Sequence, residues 1–470
     1  MAVILGLLFL LFGTFVLKSI RIGASAGIVI QILFALLNNS WSAVQTNALL
    51  NGLIISVELS LLLFGAITFY EFLKLNNRLE FLYRFVNTSP SRPFLLISFC
   101  FFLGSFFEGI AGFGIPAMLL IPLLVNAGFK PLTAIVCGLC GSFMAVCFGA
   151  LGTPMIFGMN ITQPGPTVTL VLLLYSPVTV LLPFLLTWLY GKIESVDVNW
   201  RKEVIKLFGA GLIYFGIFFV TSRFTVEYPS VFAGSVGMIV FMIVFNANAR
   251  LYGFMFWIKS FGPYLCLVVL LLLGKPLLNQ YAIVFSPSLR TISIYQPGLF
   301  FLMAILFITL YFHVAGKQYT LIDAYKISAK RVPATALTIL MIVAFSQLIR
   351  EELLQILGNF LKEQTLVVKP FFYLLAGTAG AFITGSATMS NLLLHGLLAA
   401  AGSYMTLYSA MLISGSAVGN VISLQNIVMA KSVLVNPPSE RIVLKFNAVV
   451  LIASLCCIAL LVFFCRDLSM

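Results

Sequence analysis

Acidic and histidine side chains are scarce in this 470-residue chain: Asp and Glu together number 14, His 2, and charged residues of all kinds make up only 9% of positions. A soluble protein of that length would form two or three domains, but with 61% hydrophobic residues there is too little polar surface to cover them. No Walker sequence, HExxH, GxSxG or DFG-type set occurs. Hydrolytic and metal chemistry therefore has little to work with, and neither a metal nor a cofactor is expected. A membrane enzyme acting on lipid-linked substrates would use clustered Asp, Glu, His or Arg in a sizeable loop, whereas the largest loops, around 74–92 and 317–332, hold scattered charges. What is present is a chain of mean hydropathy +1.10, composed to sit among membrane lipid.

Lys and Arg number 27, giving a pI near 9.4. Such a balance can mark a nucleic-acid binder, but here the basic residues stand singly or in small groups between apolar blocks. They read as topology signals, and nucleic acid is not an expected partner. The 8 cysteines lie almost entirely inside apolar runs. The CxxC of Cys137 and Cys140 has soft partners only on its own span, so both read as small hydrophobes. The N-terminal apolar run has its charges, Lys18 and Arg21, after it and none before it. This favours a first span with its N-terminus outside over a signal peptide ending at Ala24-Ser25-Ala26.

A helix needs about 20 apolar residues to cross the hydrocarbon core. Blocks of that order are 2–17, 24–38, 50–73, 131–158, 167–190, 204–222, 229–247, 252–273, 298–315, 333–349, 405–430 and 444–464, which predicts an all-α polytopic protein of about twelve spans. Blocks 94–128 and 370–402 are too long for one crossing, barely long enough for two, and interrupted by Gly-rich polar stretches. Lys74, Arg78, Arg84 and Arg92 mark one cytoplasmic loop, and Lys192, Arg201, Lys202 and Lys206 another. Spans 131–158 and 167–190 already supply an even number of crossings between them, so block 94–128 must enter and leave on the cytoplasmic side. Downstream, Lys317, Lys326, Lys330 and Arg331 are inside, Glu351 and Glu352 outside, and Lys431, Arg441 and Lys445 inside. Block 370–402 must then dip in from the outer side and return. Two hairpins of opposite entry are what inverted repeats require. A short echo, Gly104-Ser-Phe-Phe-Glu-Gly109 against Gly380-Ala-Phe-Ile-Thr-Gly385, agrees. The expected organisation is N-terminal spans at 1–92, a first repeat core at 93–191, central spans and linker at 192–332, and a second core at 333–470.

Irregular backbone at membrane depth is tolerated only where it is buried in protein or lines a wet cavity. Glu108-Gly-Ile-Ala-Gly-Phe-Gly-Ile-Pro116 is one such break, with Gly109, Gly112 and Gly114 permitting close approach and Pro116 suited to a helix start. Gly385-Ser-Ala-Thr-Met-Ser-Asn391 is its counterpart. Half-helix N-termini at both would seat a small anion, with Ser386, Thr388 and Asn391 at hand; the alternative is helix packing through small residues. Glu108 is the acid placed deepest. Ionised in the bilayer interior it would cost roughly 2.5 kcal/mol or more, so it must be neutral, paired or hydrated, which makes it the candidate proton carrier against a structural role. Glu58 and Lys259 are further intramembrane charges, which pair either with each other or with the site. His395, one turn after Asn391, is either functional or a packing residue. Asn420, Gln425 and Asn426 line the cavity or join helices, and Gly149-Ala-Leu-Gly-Thr-Pro154 is a further break. Arg290 either attracts anions at the outer mouth or is a solvated loop arginine.

The run Phe107-Glu-Gly-Ile-Ala-Gly-Phe-Gly-Ile-Pro116, continued by Gly128-Phe-Lys-Pro131 and Phe148-Gly-Ala-Leu-Gly-Thr-Pro154, resembles the L-lactate permease family of bacterial monocarboxylate transporters. Gly380-Ala-Phe-Ile-Thr-Gly-Ser-Ala-Thr-Met-Ser-Asn391 and Gly419-Asn-Val-Ile-Ser-Leu-Gln-Asn426 follow in the family's order, while residues 190–370 resemble it weakly. The resemblance implies proton-coupled uptake of lactate and related 2-hydroxy monocarboxylates such as glycolate across the bacterial inner membrane, with a small anion and protons as partners. Where many members carry an acid in the GSxTxSN stretch this chain has Ala387, and where they carry a lysine after the second-motif glycine it has Asn420. Their joint absence suggests a pair whose removal leaves neither charge alone.

Overall fold

The computed structural model describes residues 2–464 apart from 18, 40, 77–88, 111, 113, 247–261, 264, 268, 272, 275–276, 279, 287–288, 315–320, 432 and 435. Helices dominate, as a lipid environment demands when every backbone N–H and C=O must find an internal partner. A short antiparallel pair, Ala282–Ile283 with Ile292–Ser293, departs from the all-α expectation. Eight described helices are long and apolar enough to cross a membrane, and seven shorter apolar helices accompany them. Among the described residues, then, not all of the expected blocks form uninterrupted spans. Blocks 131–158 and 405–430 are each broken midway, and 333–349 lies inside a 42-residue helix, Leu321–Lys362. Part of expected span 252–273, with Lys259, lies outside the described residues, as do Arg78, Arg84 and Lys317.

The chain forms two compact units, each discontinuous in sequence: Met1–Arg84 with Tyr252–Leu353, and Phe85–Leu251 with Leu354–Met470. In the first, Ala2–Phe15 and Ile20–Leu37 pack through Gly13 and Gly23, where a Cβ on either glycine would collide with the other helix's backbone. The 14 residues of Ala2–Phe15 rise only about 21 Å, short of the roughly 30 Å hydrocarbon core. Buried Glu71 is held by Arg331 (Oε1 to Nη1, 2.5 Å).

The second unit repeats one order of elements. Helix Arg92–Ile110, π-helical over Ile97–Leu103, is followed by Ile115–Asn126. A broken helix comes next: Pro131–Gly141, a 3₁₀ segment at Phe143–Phe148, then Gly149–Met159. The long helix Pro166–Glu194 completes the set. Downstream the same order returns as Val368–Thr384 with Ala387–Leu394, then Met405–Gly419, 3₁₀ Asn420–Ile422 and Leu424–Lys431, then Glu440–Phe464. Trp200–Ser222 and Pro229–Phe245 stand between the two sets.

Both interrupted blocks fold back on themselves. Arg92 Nη1 donates to Ala127 O, and its guanidinium stands 5.2 Å over the Phe129 ring, so the two ends of the first block meet. In the second, Tyr373 OH donates to Leu397 O at 2.9 Å. Glu194, at the far end of its long helix, accepts from Lys130 N (2.7 Å) and Thr133 Oγ1 (2.5 Å). A carboxylate from 60 residues away thus caps the start of helix Pro131–Gly141, where unpaired N–H groups and the positive dipole end favour it.

Candidate functional site

The two hairpin tips turn in the same way. Gly114 (φ +74) precedes helix Ile115–Asn126, with Pro116 in its first turn, and Gly385 (φ +74) ends helix Val368–Thr384. Only glycine adopts this left-handed conformation without steric cost, which is why both breaks carry it. Ser386 then caps Ala387–Leu394, its hydroxyl accepting from Met389 N at 3.5 Å. Both tips meet Leu424–Lys431, the last part of the second broken helix. A Cβ on Gly114 would lie 2.8 Å from Asn426 Oδ1, and one on Gly385 would overlap Gln425 Oε1. Asn391 Nδ2 donates to Pro154 O at 3.1 Å, and the Thr153 and Thr388 hydroxyls pair at 3.1 Å.

These contacts enclose a cavity of about 10 Å³, the room a single water needs. Glu108, Gly112, Thr153, Ser386, Thr388 and Asn420 are among its walls. Glu108 is the ionisable residue in that lining, 4% exposed, with no ion-pair partner among the described residues. Its carboxyl lies against Gly149, where a Cβ would come within 3.1 Å of Oε1. Directly after Gly149, Ala150 and Leu151 hold φ of +44 and +58, followed by Gly152 at +76. Left-handed backbone at two successive non-glycine residues costs of order 1–3 kcal/mol each and persists only where surrounding packing imposes it.

Of the expected ligand residues, Glu108, Gly112, Ser386, Thr388 and Asn420 face the cavity, whereas Gly109, Gly114, Asn391, Gln425, Asn426 and His395 do not line it. Gly109 has a packing reason instead: a Cβ there would lie 2.7 Å from Val231 N. Gly114, Asn391, Gln425 and Asn426 stand behind the wall and fix the tips. Asn426 Nδ2 also donates to Asn420 Oδ1 at 2.8 Å, orienting an amide that does line it. The side-chain oxygens of Asn391, Gln425 and Asn426 are buried without a hydrogen-bond partner among the described residues. Glu58 and Arg290 sit in the first unit and pair with each other (Oε2 to Nε, 3.4 Å), with Gln296 Nε2 donating to Glu58 Oε1 at 3.0 Å. Arg290 is thus neither a free anion trap nor a solvated loop arginine. Thr153 was visible in the sequence only as part of its break. The packing of Val226 and buried Glu227 against Gly152 had no sequence signal at all.

The L-lactate permease family model matches residues 1–252 and 255–468. The chain belongs to the L-lactate permease family. It is accordingly a multi-pass membrane transporter rather than an enzyme. A Haemophilus influenzae protein provisionally named an L-lactate permease is 24% identical over 473 residues, 87% of each chain. The glycolate permease GlcA of Escherichia coli is 38% identical over 138 residues, 28% of this chain and 22% of that one. The solved structure of the YdaH transporter of Alcanivorax borkumensis aligns with 92% of this chain and 89% of its own at 13% identity and a TM-score of 0.42, too low to argue from. In this lactate permease family member, Ala387 and Asn420, the two positions where the expected acid and lysine are missing, line the same cavity.

Proposed function

We propose that the protein is a secondary transporter of the bacterial inner membrane that carries L-lactate, or a related 2-hydroxy monocarboxylate such as glycolate, together with a proton by alternating access. One observation carries the reading: a buried carboxyl without an ion-pair partner among the described residues, Glu108, stands in a cavity walled by both hairpin tips and both helix breaks. The N-terminal end of Ala387–Leu394, whose Ala387 and Thr388 line the cavity, supplies a positive dipole end that favours a substrate carboxylate. Thr153, Ser386 and Thr388 offer hydroxyls to a 2-hydroxy group. Glu108 takes up a proton when the substrate anion arrives, so that the loaded site adds no net charge to the bilayer interior.

The recurring order of hairpin, broken helix and long helix, at 92–194 and 368–464, supports two repeats, inverted as the charge parity requires. Substrate loading then needs the tips to part, because a one-water cavity cannot hold a carboxylic acid.

Initial uptake of labelled L-lactate into proteoliposomes, with and without an imposed pH gradient, tests this. Acid outside should accelerate uptake. Glu108→Gln should abolish that acceleration while lactate-for-lactate exchange persists. Unchanged gradient stimulation in the variant removes Glu108 from the coupling role; gradient-independent uptake in the natural protein makes it an exchanger; no uptake removes the substrate.

A further inference from the structure

Away from the central cavity, a second cleft of about 780 Å³ opens in the same unit, where the starts of Pro166–Glu194 and Met405–Gly419 meet the end of Trp200–Ser222. Its position along the membrane normal follows from helix Pro166–Glu194: Gly165 and Thr169 line the cleft, while Glu194 at the other end, flanked in sequence by Lys192 and Arg201, caps the segment of Lys130. The 29 residues between those ends rise about 43 Å, more than the hydrocarbon core. With the basic end cytoplasmic by the positive-inside rule, the cleft faces outward.

The lining is of one electrostatic sign. Arg223 is the charged residue in it, is exposed, and has no acidic partner among the described residues; its guanidinium stacks 4.6 Å over Phe219. Arg223 offsets the C-terminal carbonyls of its own helix, yet two helix N-termini open onto the same space, and Ser403 and Thr406 add hydroxyls, while that of Thr169 donates to Gly165 O. Stacking holds the guanidinium plane on the wall while its N–H edge remains available for bidentate bonding to a carboxylate.

We propose that this cleft is an external recruiting site for small carboxylates, held by Arg223 and the surrounding hydroxyls, from which substrate passes to the central cavity. Only the identity of the ligand rests on the function proposed above; the electropositive character of the cleft does not. Fixed positive potential in a cleft raises the local concentration of anions and their capture rate, an effect that weakens with salt.

The test reads the potential directly. Ser403→Cys places a thiol in the cleft, and its reaction rates with an anionic and a cationic methanethiosulfonate reagent are compared in vesicles of zwitterionic phosphatidylcholine. Removing one unit charge nearby changes each rate by about threefold in opposite senses at low salt, hence about ninefold in their ratio. Arg223→Gln in that background should lower the anionic preference by this amount, Arg223→Lys should restore it, and high salt should erase the difference. L-lactate should slow labelling in the Arg223 protein and not in the Gln variant. In transport, Arg223→Gln should raise the half-saturation concentration for uptake at low salt with maximal rate unchanged.

An unchanged reagent ratio, or no protection by L-lactate, overturns the proposal. So does protection by added anionic phospholipid in place of lactate, which would make the occupant a lipid headgroup. Protection by lactate in a protein that transports none would leave the recruiting site standing and remove the proposed transport function.

Discussion

Replacing Gly385 with alanine probes the second hairpin tip at the point where backbone conformation and side-chain packing act together. The native φ of +74 is left-handed, which costs an L-residue about 1–2 kcal/mol. The new methyl would also overlap Gln425 Oε1, and relieving it by rotating or shifting the amide adds about 1–3 kcal/mol of overpacking. The sum, about 2–5 kcal/mol, lowers the population of this tip conformation by roughly thirtyfold to several thousandfold. The assays are thermal unfolding of the purified protein in detergent and initial L-lactate uptake in proteoliposomes. The double variant Gly385→Ala with Gln425→Ala separates the two contributions: truncating Gln425 should recover the packing part and leave the backbone part. Wild-type stability and uptake in Gly385→Ala would refute the tip geometry. Coupling between the two sites below about 0.5 kcal/mol would refute the contact.

Asn391 is fully buried, and its side-chain N–H serves Pro154 O. Asn391→Leu should cost about 1–3 kcal/mol by removing the donor to that carbonyl; equal thermal stability of Leu variant and parent would sink the bond. Glu58→Ala breaks a half-buried pair with Arg290 and the bond from Gln296, with an expected stability loss of about 1–3 kcal/mol. Because neither residue lines the central cavity, the half-saturation for L-lactate should stay the same, and a shift in it without loss of stability would contradict the placement. The Glu108 and Arg223 variants described above complete the set.

The membrane class, the two back-folding blocks and the positions of their turns were legible in the sequence, because each is written locally. Apolar run length against bilayer thickness, lysine and arginine placement, and glycine at left-handed turns need no knowledge of distant partners. The same local reading pointed to Glu108, Gly112, Ser386, Thr388 and Asn420 as a group. It also overcounted intact spans, since the 3₁₀ interruptions at Phe143–Phe148 and Asn420–Ile422 lie in runs as hydrophobic as any crossing helix.

Partnership was decided only in three dimensions. Hydropathy shows that Glu58 is an intramembrane charge, but that it pairs with Arg290, more than 200 positions away, depends on how helices dock. Gly109 and Gly112 look equivalent along the chain, yet one is pressed on Val231 and the other faces the cavity, because which side of a helix is covered is settled by its neighbour. Likewise, the left-handed backbone at Ala150 and Leu151 has no compositional mark; it exists because Val226 and the first hairpin pack around it. Sequence determined where the chain must bend, and tertiary packing determined what each bend touches, since contact energies between distant segments arise only once both are in place.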